Sequence, residues 1–554
     1  MSDFFQAHRE TLEAALSAAR ERAYWAPFPE IPSGKIYGES AKGEGEGAFE
    51  ARRHATFALP GHPSDGRTVG QESSPFGLDL GIAYPAATVE QLVAASTAAG
   101  AGWAAASIED RVGVCLEILQ RLNRRSFEIA NAVMHTTGQA FVMAFQAGGP
   151  HAQDRGLEAV AYAYAEMTRT PASATWSKPQ GKRPPIVLEK QYRIVPRGIA
   201  LTVGCATFPT WNGYPGLFAS LATGNSVIVK PHPTAILPLA ITIEVARAVL
   251  AEAGFDPNVV LLAADEPGAE ITKALVADPA VRIVDYTGSG AFGRWVRDNA
   301  GDAQVYTEEA GVNPVVIAST DDFAGLCNNI AFSLSLYSGQ MCTAPQNLFV
   351  PASGIETEQG HKSLDQVVEG IVAAVDGLLA DPERALGVCG ALASPATAER
   401  VDEAAGLGEV VRPSSPIEGM TAARTATPLI LKVEAGRSEA YLEERFGPIS
   451  FVVVVEDAEE GIARAAASVR ERGAITAAVY ATDEATLARA ADAFAAAGVS
   501  LSCNLTGGVY VNQSAAFSDY HVTGANPAGN ACLTDAAFVA NRFRVAAIRR
   551  PAAA

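Results

Sequence analysis

Two short segments carry side chains whose types and spacing suit covalent catalysis. Ser338-Gly339-Gln340-Met341-Cys342-Thr343 places a cysteine three residues after a glycine. A glycine there lets the backbone turn sharply, so the thiol and its own N–H can face one cavity, as an acyl-transfer nucleophile requires. Taken alone, such a cysteine is more often inert packing. Thr307-Glu308-Glu309-Ala310-Gly311-Val312-Asn313-Pro314 supplies a carboxylate 34 residues upstream of Cys342. A carboxylate beside a thiol adduct can deprotonate water once an acyl-enzyme has formed, and burial would raise its pKa toward working pH. Glutamates on a loop are otherwise usually solvated.

Three further segments bear turn and charge patterns: Leu221-Ala222-Thr223-Gly224-Asn225-Ser226-Val227-Ile228-Val229-Lys230-Pro231, Asp285-Tyr286-Thr287-Gly288-Ser289-Gly290-Ala291-Phe292-Gly293, and Glu443-Glu444-Arg445-Phe446-Gly447-Pro448. With the two above they form five ordered motifs, and the chain from about 85 to 531 resembles the aldehyde dehydrogenase superfamily. The resemblance implies that Cys342 attacks the carbonyl and that Glu308, five residues before Asn313, is the base rather than Glu309. It also implies a nicotinamide dinucleotide held by Lys230 at the adenosine ribose, by Gly288, Ser289 and Gly293 at the pyrophosphate, and by Glu444 and Phe446 at the nicotinamide end. A helix N-terminus after a glycine turn favours that anion.

Two departures from the family pattern bear on function. Where the family places an oxyanion-hole Asn, alignment on Gly224, Asn225 and Lys230 gives Thr207, and Asn212 in Trp211-Asn212-Gly213 is the alternative donor, otherwise a turn or cap residue. Where members that prefer NAD commonly carry a Glu three residues beyond the lysine, this chain has Pro233, after His232. With no carboxylate there to repel a 2′-phosphate, and with Lys230 and His232 able to approach one, NADP is favoured over NAD. The usual glycine-rich segment near the substrate mouth is replaced by Phe517-Ser518-Asp519-Tyr520-His521-Val522-Thr523-Gly524. The long N-terminal extension and these variant motifs are most similar to the phenylacetate-degradation branch, PaaN, which implies an aldehyde from aromatic-ring cleavage, CoA-linked in one version. No metal is implied.

The elements that must position these residues follow from length and periodicity. The 554 residues, 48% hydrophobic and 19% charged, suit two or three domains. Short β-branched runs at 198–204, 225–230, 259–263 and 281–285, and again at 315–318, 347–350, 450–455, 475–480 and 509–512, alternate with Ala-rich helical stretches such as 89–167 and 460–472. That alternation predicts an α/β fold with two parallel-sheet, Rossmann-like domains. The expected division is an N-terminal extension (1–80), a dinucleotide-binding domain (81–310) interrupted by a hairpin at about 180–197, a catalytic domain (311–525), and a C-terminal oligomerisation strand and tail (526–554). Residues 3–24 read as a helix, the Gly/Glu-rich run 38–47 as a break in a lid-like extension, and 549–554 as a disordered tail or one lying on a neighbouring subunit. The family resemblance implies a homodimer or homotetramer built through the hairpin and the C-terminal strand.

A net charge of −19 works against a nucleic-acid or anionic-membrane partner. No run approaches the roughly 18 apolar residues of a membrane span, and no secretory signal opens the chain. Seven scattered cysteines without a CxxC pair suit a reducing cytoplasm. Three rival functions stay open on sequence alone: an acylating, CoA-dependent dehydrogenase, a cysteine thioesterase or hydrolase without redox chemistry, and a silent nucleotide-binding scaffold.

Overall fold

The structure is a computed structural model, which describes residues 3–309 and 311–552. A 5-stranded parallel sheet has the spatial order Val260–Leu262, Ser226–Lys230, Ile199–Val203, Val281–Gly288, Gln304–Glu309. Two of its inner strands, Ile199–Val203 and Ser226–Lys230, are buried along their whole length, as strands covered by helices on both faces must be. The order runs one way from Ile199–Val203 and then reverses to Val281–Gly288, which opens a crevice at the carboxyl ends of those two strands.

A 7-stranded sheet follows, in the order Glu409–Arg412, Leu429–Glu434, Ile449–Val455, Asn347–Pro351, Pro314–Ile317, Thr476–Tyr480, Ser500–Cys503, parallel except for its first strand. A separate 3-stranded antiparallel sheet joins Ser173–Gln180, Arg183–Pro196 and Phe543–Pro551. The helical stretch expected over 89–167 is a succession of five helices from Val89–Ala105 to Pro150–Thr168. The expected segments 198–204, 225–230 and 259–263 all shorten but keep their strand type.

Three local expectations are overturned. The Gly/Glu-rich run 38–47 does not break the chain: Ala41–Glu50 is a helix. A side chain at Gly45 would collide with Phe127, and Phe49 is buried, stacked on His135 at 5.1 Å. Glycine here permits close helix packing against Ser126–Thr137, and that burial outweighs its poor helix propensity. The run 509–512 is a loop, because Ser500–Cys503 takes the edge beside Thr476–Tyr480. Tyr510 stacks on Phe332 at 4.2 Å instead. The tail from 549, expected to be disordered or to lie on a neighbouring subunit, continues as strand to Pro551, paired with Arg183–Pro196 of the same chain, while residues 553 and 554 lie outside the described residues. Strands Gln304–Glu309 and Leu429–Glu434 were not anticipated, since polar residues interrupt both.

Candidate active site

The nucleophile segment is held in an unusual conformation. After the helix Phe323–Ser335, Tyr337, Ser338 and Gly339 take positive φ in succession, at 51°, 49° and 62°. Two non-glycine residues in that region carry local strain, which surrounding contacts must hold in place. Ser338 Oγ donates to the carbonyls of Cys389 and Ala426, and Gln340 Nε2 donates to those of Tyr337 and Ala391. A Cβ at Gly339 would strike the Gly447 carbonyl, so glycine lets the 443–448 loop close directly on the nucleophile loop. Asn313 Nδ2 donates to the Cys342 carbonyl at 2.8 Å, while its Oδ1 accepts the N–H groups of Ile475 and Thr476. The orientation of Cys342 is thereby fixed from both sides.

Four side chains from distant parts of the sequence converge there. Glu308 lies at the end of strand Gln304–Glu309, and its Oε1 is 3.5 Å from Cys342 Sγ, which donates to it. Asn212, in the first turn of helix Pro209–Ala222, donates through Nδ2 to the same Oε1 at 2.9 Å. His521 Nε2 lies 3.0 Å from that oxygen as well. Glu308 Oε2 is buried and has no hydrogen-bond partner among the described residues. Burial, the neighbouring Glu308 charge and the hydrogen bond to it push the Cys342 thiol well above its ordinary pKa, with Cys205 and Glu444 adding to the effect. At rest the thiol therefore keeps its proton and points it at the one group positioned to take it. Glu309 faces the other way and pairs with Arg297.

Of the two expected oxyanion donors, the structure brings Asn212 to the site. It neither ends a turn nor caps the helix. Thr207 lies in the preceding turn, where its carbonyl accepts from Gln139 Nε2 at 2.7 Å. No hydrogen bond joins its hydroxyl to Cys342 or Glu308 among the described residues. His521 was missed by motif reading. The only signal for it was that 517–524 departs from the expected glycine-rich segment. An apolar cluster of Ala147, Phe208 and Tyr337, with Met143, Cys205, Trp211 and Met341 against it, packs around the site.

The dinucleotide residues gather at the carboxyl edge of the 5-stranded sheet. Lys230 ends its strand with Nζ 2.7 Å from Asp265 Oδ1. Burial lowers the Lys230 pKa, which Asp265 partly offsets. The expectation that no carboxylate stands near this lysine is thus corrected: position 233 is proline, but Asp265 supplies one from beyond the adjacent strand Val260–Leu262. His232 is pushed down to about 4 by burial and then by the Lys230 charge, so it is neutral at pH 7 and offers a phosphate no cation. Gly288 ends strand Val281–Gly288, and Ser289 caps the helix Gly290–Asn299, its Oγ accepting the Phe292 N–H. Gly293 has a packing role, since a Cβ there would meet the Glu309 carboxylate. Glu444 is pushed up to about 7, chiefly by burial, with Arg400 opposing and Glu309 adding. The Phe446 carbonyl accepts from Arg400 Nη1 at 2.6 Å.

These positions fit a dinucleotide. A cation, a capped helix N-terminus and a buried carboxylate are spaced along a crevice at the topological switch point, where such ligands bind. Glu308, Cys342 and His521 also offer ligand-type atoms that all lie within 4.8 Å of one another.

Comparison with known proteins agrees with this geometry. The aldehyde dehydrogenase family profile matches residues 82–525. A crystal structure described as an NAD-dependent aldehyde dehydrogenase from Burkholderia multivorans superposes with a TM-score of 0.98 at 54% identity, covering 100% of both chains. A vanillin dehydrogenase of Pseudomonas fluorescens is 28% identical over 410 residues, 71% of this chain and 78% of its own. An aldehyde dehydrogenase of a Fusarium species is 27% identical over 255 residues, 46% of this chain, and the match spans only 52% of that relative.

Proposed function

The chain belongs to the aldehyde dehydrogenase family, and from that premise we propose that Cys342 is its nucleophile, Glu308 its general base and Asn212 its oxyanion donor. The enzyme oxidises an aldehyde to a carboxylic acid with NAD or NADP. The observation that carries the residue assignment is the contact of the Cys342 thiol with the buried Glu308 carboxylate at 3.5 Å.

Glu308 takes the thiol proton as Sγ adds to the aldehyde carbon, and the Asn212 amide with the Cys342 N–H receives the developing oxyanion. A bound nicotinamide would supply the hydride acceptor, and Cys342 would then carry the acyl group as a thioester. Glu308 releases the thiol proton to solvent and, ionised again, accepts a proton from water attacking that thioester; the C–S bond breaks, Sγ leaves as thiolate and the acid departs. Lys230 and Glu444 would hold the two riboses and the N-terminus of Gly290–Asn299 the pyrophosphate. Asp265 beside Lys230, with His232 neutral, supports NAD over NADP, because a 2′-phosphate would meet a carboxylate. The NAD-dependent description of the Burkholderia protein points the same way.

The substrate we propose is a semialdehyde from aromatic-ring cleavage, free or CoA-linked. Its support is the wall of Met143, Phe208, Trp211 and Met341 together with the phenylacetate-branch motifs of the sequence. The division into domains at 80, 310 and 525 has its support at 310, which lies between Gln304–Glu309 of one sheet and Pro314–Ile317 of the other. The 3-stranded sheet, exposed along most of Ser173–Gln180 and alternating along Arg183–Pro196, supports assembly into a dimer or tetramer through this element. Seven free cysteines suit a cytoplasmic setting. Against CoA-dependent acyl transfer stands Glu308, oriented to activate water. Against a redox-free hydrolase stand Lys230, Ser289 and Glu444 along the crevice.

Stopped-flow absorbance of reduced nicotinamide tests the reading, with aliphatic, aromatic and CoA-linked semialdehydes and both nucleotides. A slower burst and a still slower turnover after it in Glu308→Gln, with neither phase in Cys342→Ala, are expected. Equal turnover in Cys342→Ala and the wild type refutes it.

A further inference from the structure

Glu308 distributes its partners unevenly. Oε1 has three polar neighbours, Asn212 Nδ2 at 2.9 Å, His521 Nε2 at 3.0 Å and Cys342 Sγ at 3.5 Å, while Oε2 has none, and the whole side chain is 1% exposed. A carboxylate this deeply buried keeps its charge only where donors are aimed at it. Two of those donors converge on one oxygen and leave the other with its lone pairs free.

We propose that His521 is a positioning residue for Glu308: its imidazole, with Asn212, clamps Oε1, so that Oε2 becomes the base that receives the proton of the hydrolytic water. The proposal rests on Glu308 being the base of deacylation. In that step water oxygen bonds to the acyl carbon, the C–S bond breaks, Sγ leaves as thiolate and one water proton passes to Oε2. The carboxylate selects the tautomer with its proton on Nε2, which leaves Nδ1 as acceptor, and Nδ1 has no partner among the described residues.

The loop around His521 is built to hold the ring still. The imidazole meets the Trp211 ring edge-on at 4.6 Å, and Arg155 lies over the same indole at 5.2 Å. The His521 N–H donates to Thr534 Oγ1, and Cys532 Sγ donates to its carbonyl. The flanking Val522 has φ 61° and Phe517 has φ 65°, conformations that a β-branched or aromatic residue rarely adopts. They persist because Phe517 N–H donates to Glu158 Oε1, and Glu158 is paired with buried Arg155, which also reaches Ser514 Oγ. The titratable and charged groups facing the imidazole are therefore Glu308, Cys342 and Cys532, with Arg155 beyond the indole.

The test uses the full-length enzyme and p-nitrophenyl acetate, which acylates a reactive thiol without nucleotide, so the nitrophenol burst reports acylation and the steady rate reports deacylation. His521→Leu keeps the volume and removes the donor, whereas His521→Gln keeps an N–H donor. His521→Ala replaces His521→Leu if that variant does not fold. We expect His521→Leu to keep the burst and to deacylate roughly 10–100-fold more slowly, the scale of a lost hydrogen bond to a charged group. Its deacylation profile should also move to higher pH, because a carboxylate stripped of a donor binds its proton more tightly. His521→Gln should recover most of the rate. Equal deacylation rates and pH profiles in wild type, His521→Leu and His521→Gln overturn the proposal. If instead Glu308→Gln deacylates like the wild type, the assignment of Glu308 fails first.

Discussion

Replacing Asn212 with alanine separates the two candidates for the oxyanion donor. The Asn212 amide carries two hydrogens: one lies on the Glu308 carboxylate at 2.9 Å, and the second is free for the carbonyl oxygen of a substrate on Cys342. Removing a hydrogen bond to a buried charge costs about 1.5–3 kcal/mol, roughly 10–100-fold. Removing an oxyanion donor costs roughly 100–1000-fold in turnover. The two losses fall on one residue and do not add, so kcat/KM for Asn212→Ala should drop by at least about 10-fold and at most about 1000-fold. Thr207→Val should cost less than about 10-fold, because no hydrogen bond joins that hydroxyl to Cys342 or Glu308 among the described residues. Pre-steady-state nicotinamide absorbance resolves the parts: loss of the oxyanion donor slows the burst, and loss of support to Glu308 slows the phase after it. If Asn212→Ala keeps both phases within about threefold while Thr207→Val slows the burst 100-fold, the oxyanion donor is Thr207 and the reasoning fails.

Asp265→Ser should raise the affinity for NADP relative to NAD by about tenfold, or about 1.4 kcal/mol, read from the quenching of intrinsic fluorescence by each nucleotide. An unchanged ratio would mean that Asp265 only holds Lys230. Glu444 binds its proton more tightly in the folded chain, at about 7 against an ordinary 4.5, chiefly through burial. A raised acid favours folding below its unfolded value, and that contribution disappears as pH rises through the folded value. The always neutral Glu444→Gln should therefore gain in melting temperature relative to the wild type between about pH 5 and pH 8, and a gap that does not change across that range contradicts the burial argument.

What the sequence made legible was local chemistry. Cys342 and Glu308 stand in segments whose turn residues report their own geometry, and the parallel strands announce themselves as β-branched runs because both faces are buried. Glu308 meets Cys342 while Glu309 pairs with Arg297, since successive residues of one strand point to opposite faces and only one of the two can reach the thiol. Whatever depended on long-range packing stayed hidden. Gly45 reads as a helix breaker until Phe127 is placed against it, and Asp265 is invisible as a partner of Lys230 because it lies 35 positions later, beyond a helix and the next strand. Asn212 reads as a turn residue, although the helix that begins at Pro209 turns its amide inward.

The N-terminal extension has its place in the same logic. The site draws on positions 212, 308, 342 and 521: the first two sit on regular elements, whereas Cys342 and His521 stand on loops, each with two non-glycine residues at positive φ. Such a loop is held by its neighbours rather than by its own backbone preference. For the His521 loop, one set of neighbours is the Arg155–Glu158 pair on helix Pro150–Thr168. The other comes from the extension: Trp25 packs edge-on against Phe517 at 5.1 Å, and the Arg22 guanidinium lies 4.0 Å over the Tyr520 ring while donating to Tyr162. Residues some five hundred positions before His521 thus brace the segment that carries it. A chain with 517–524 in place of a glycine-rich segment needs that brace, because each residue in the left-handed region would relax toward ordinary φ if its side chain lost its packing partners.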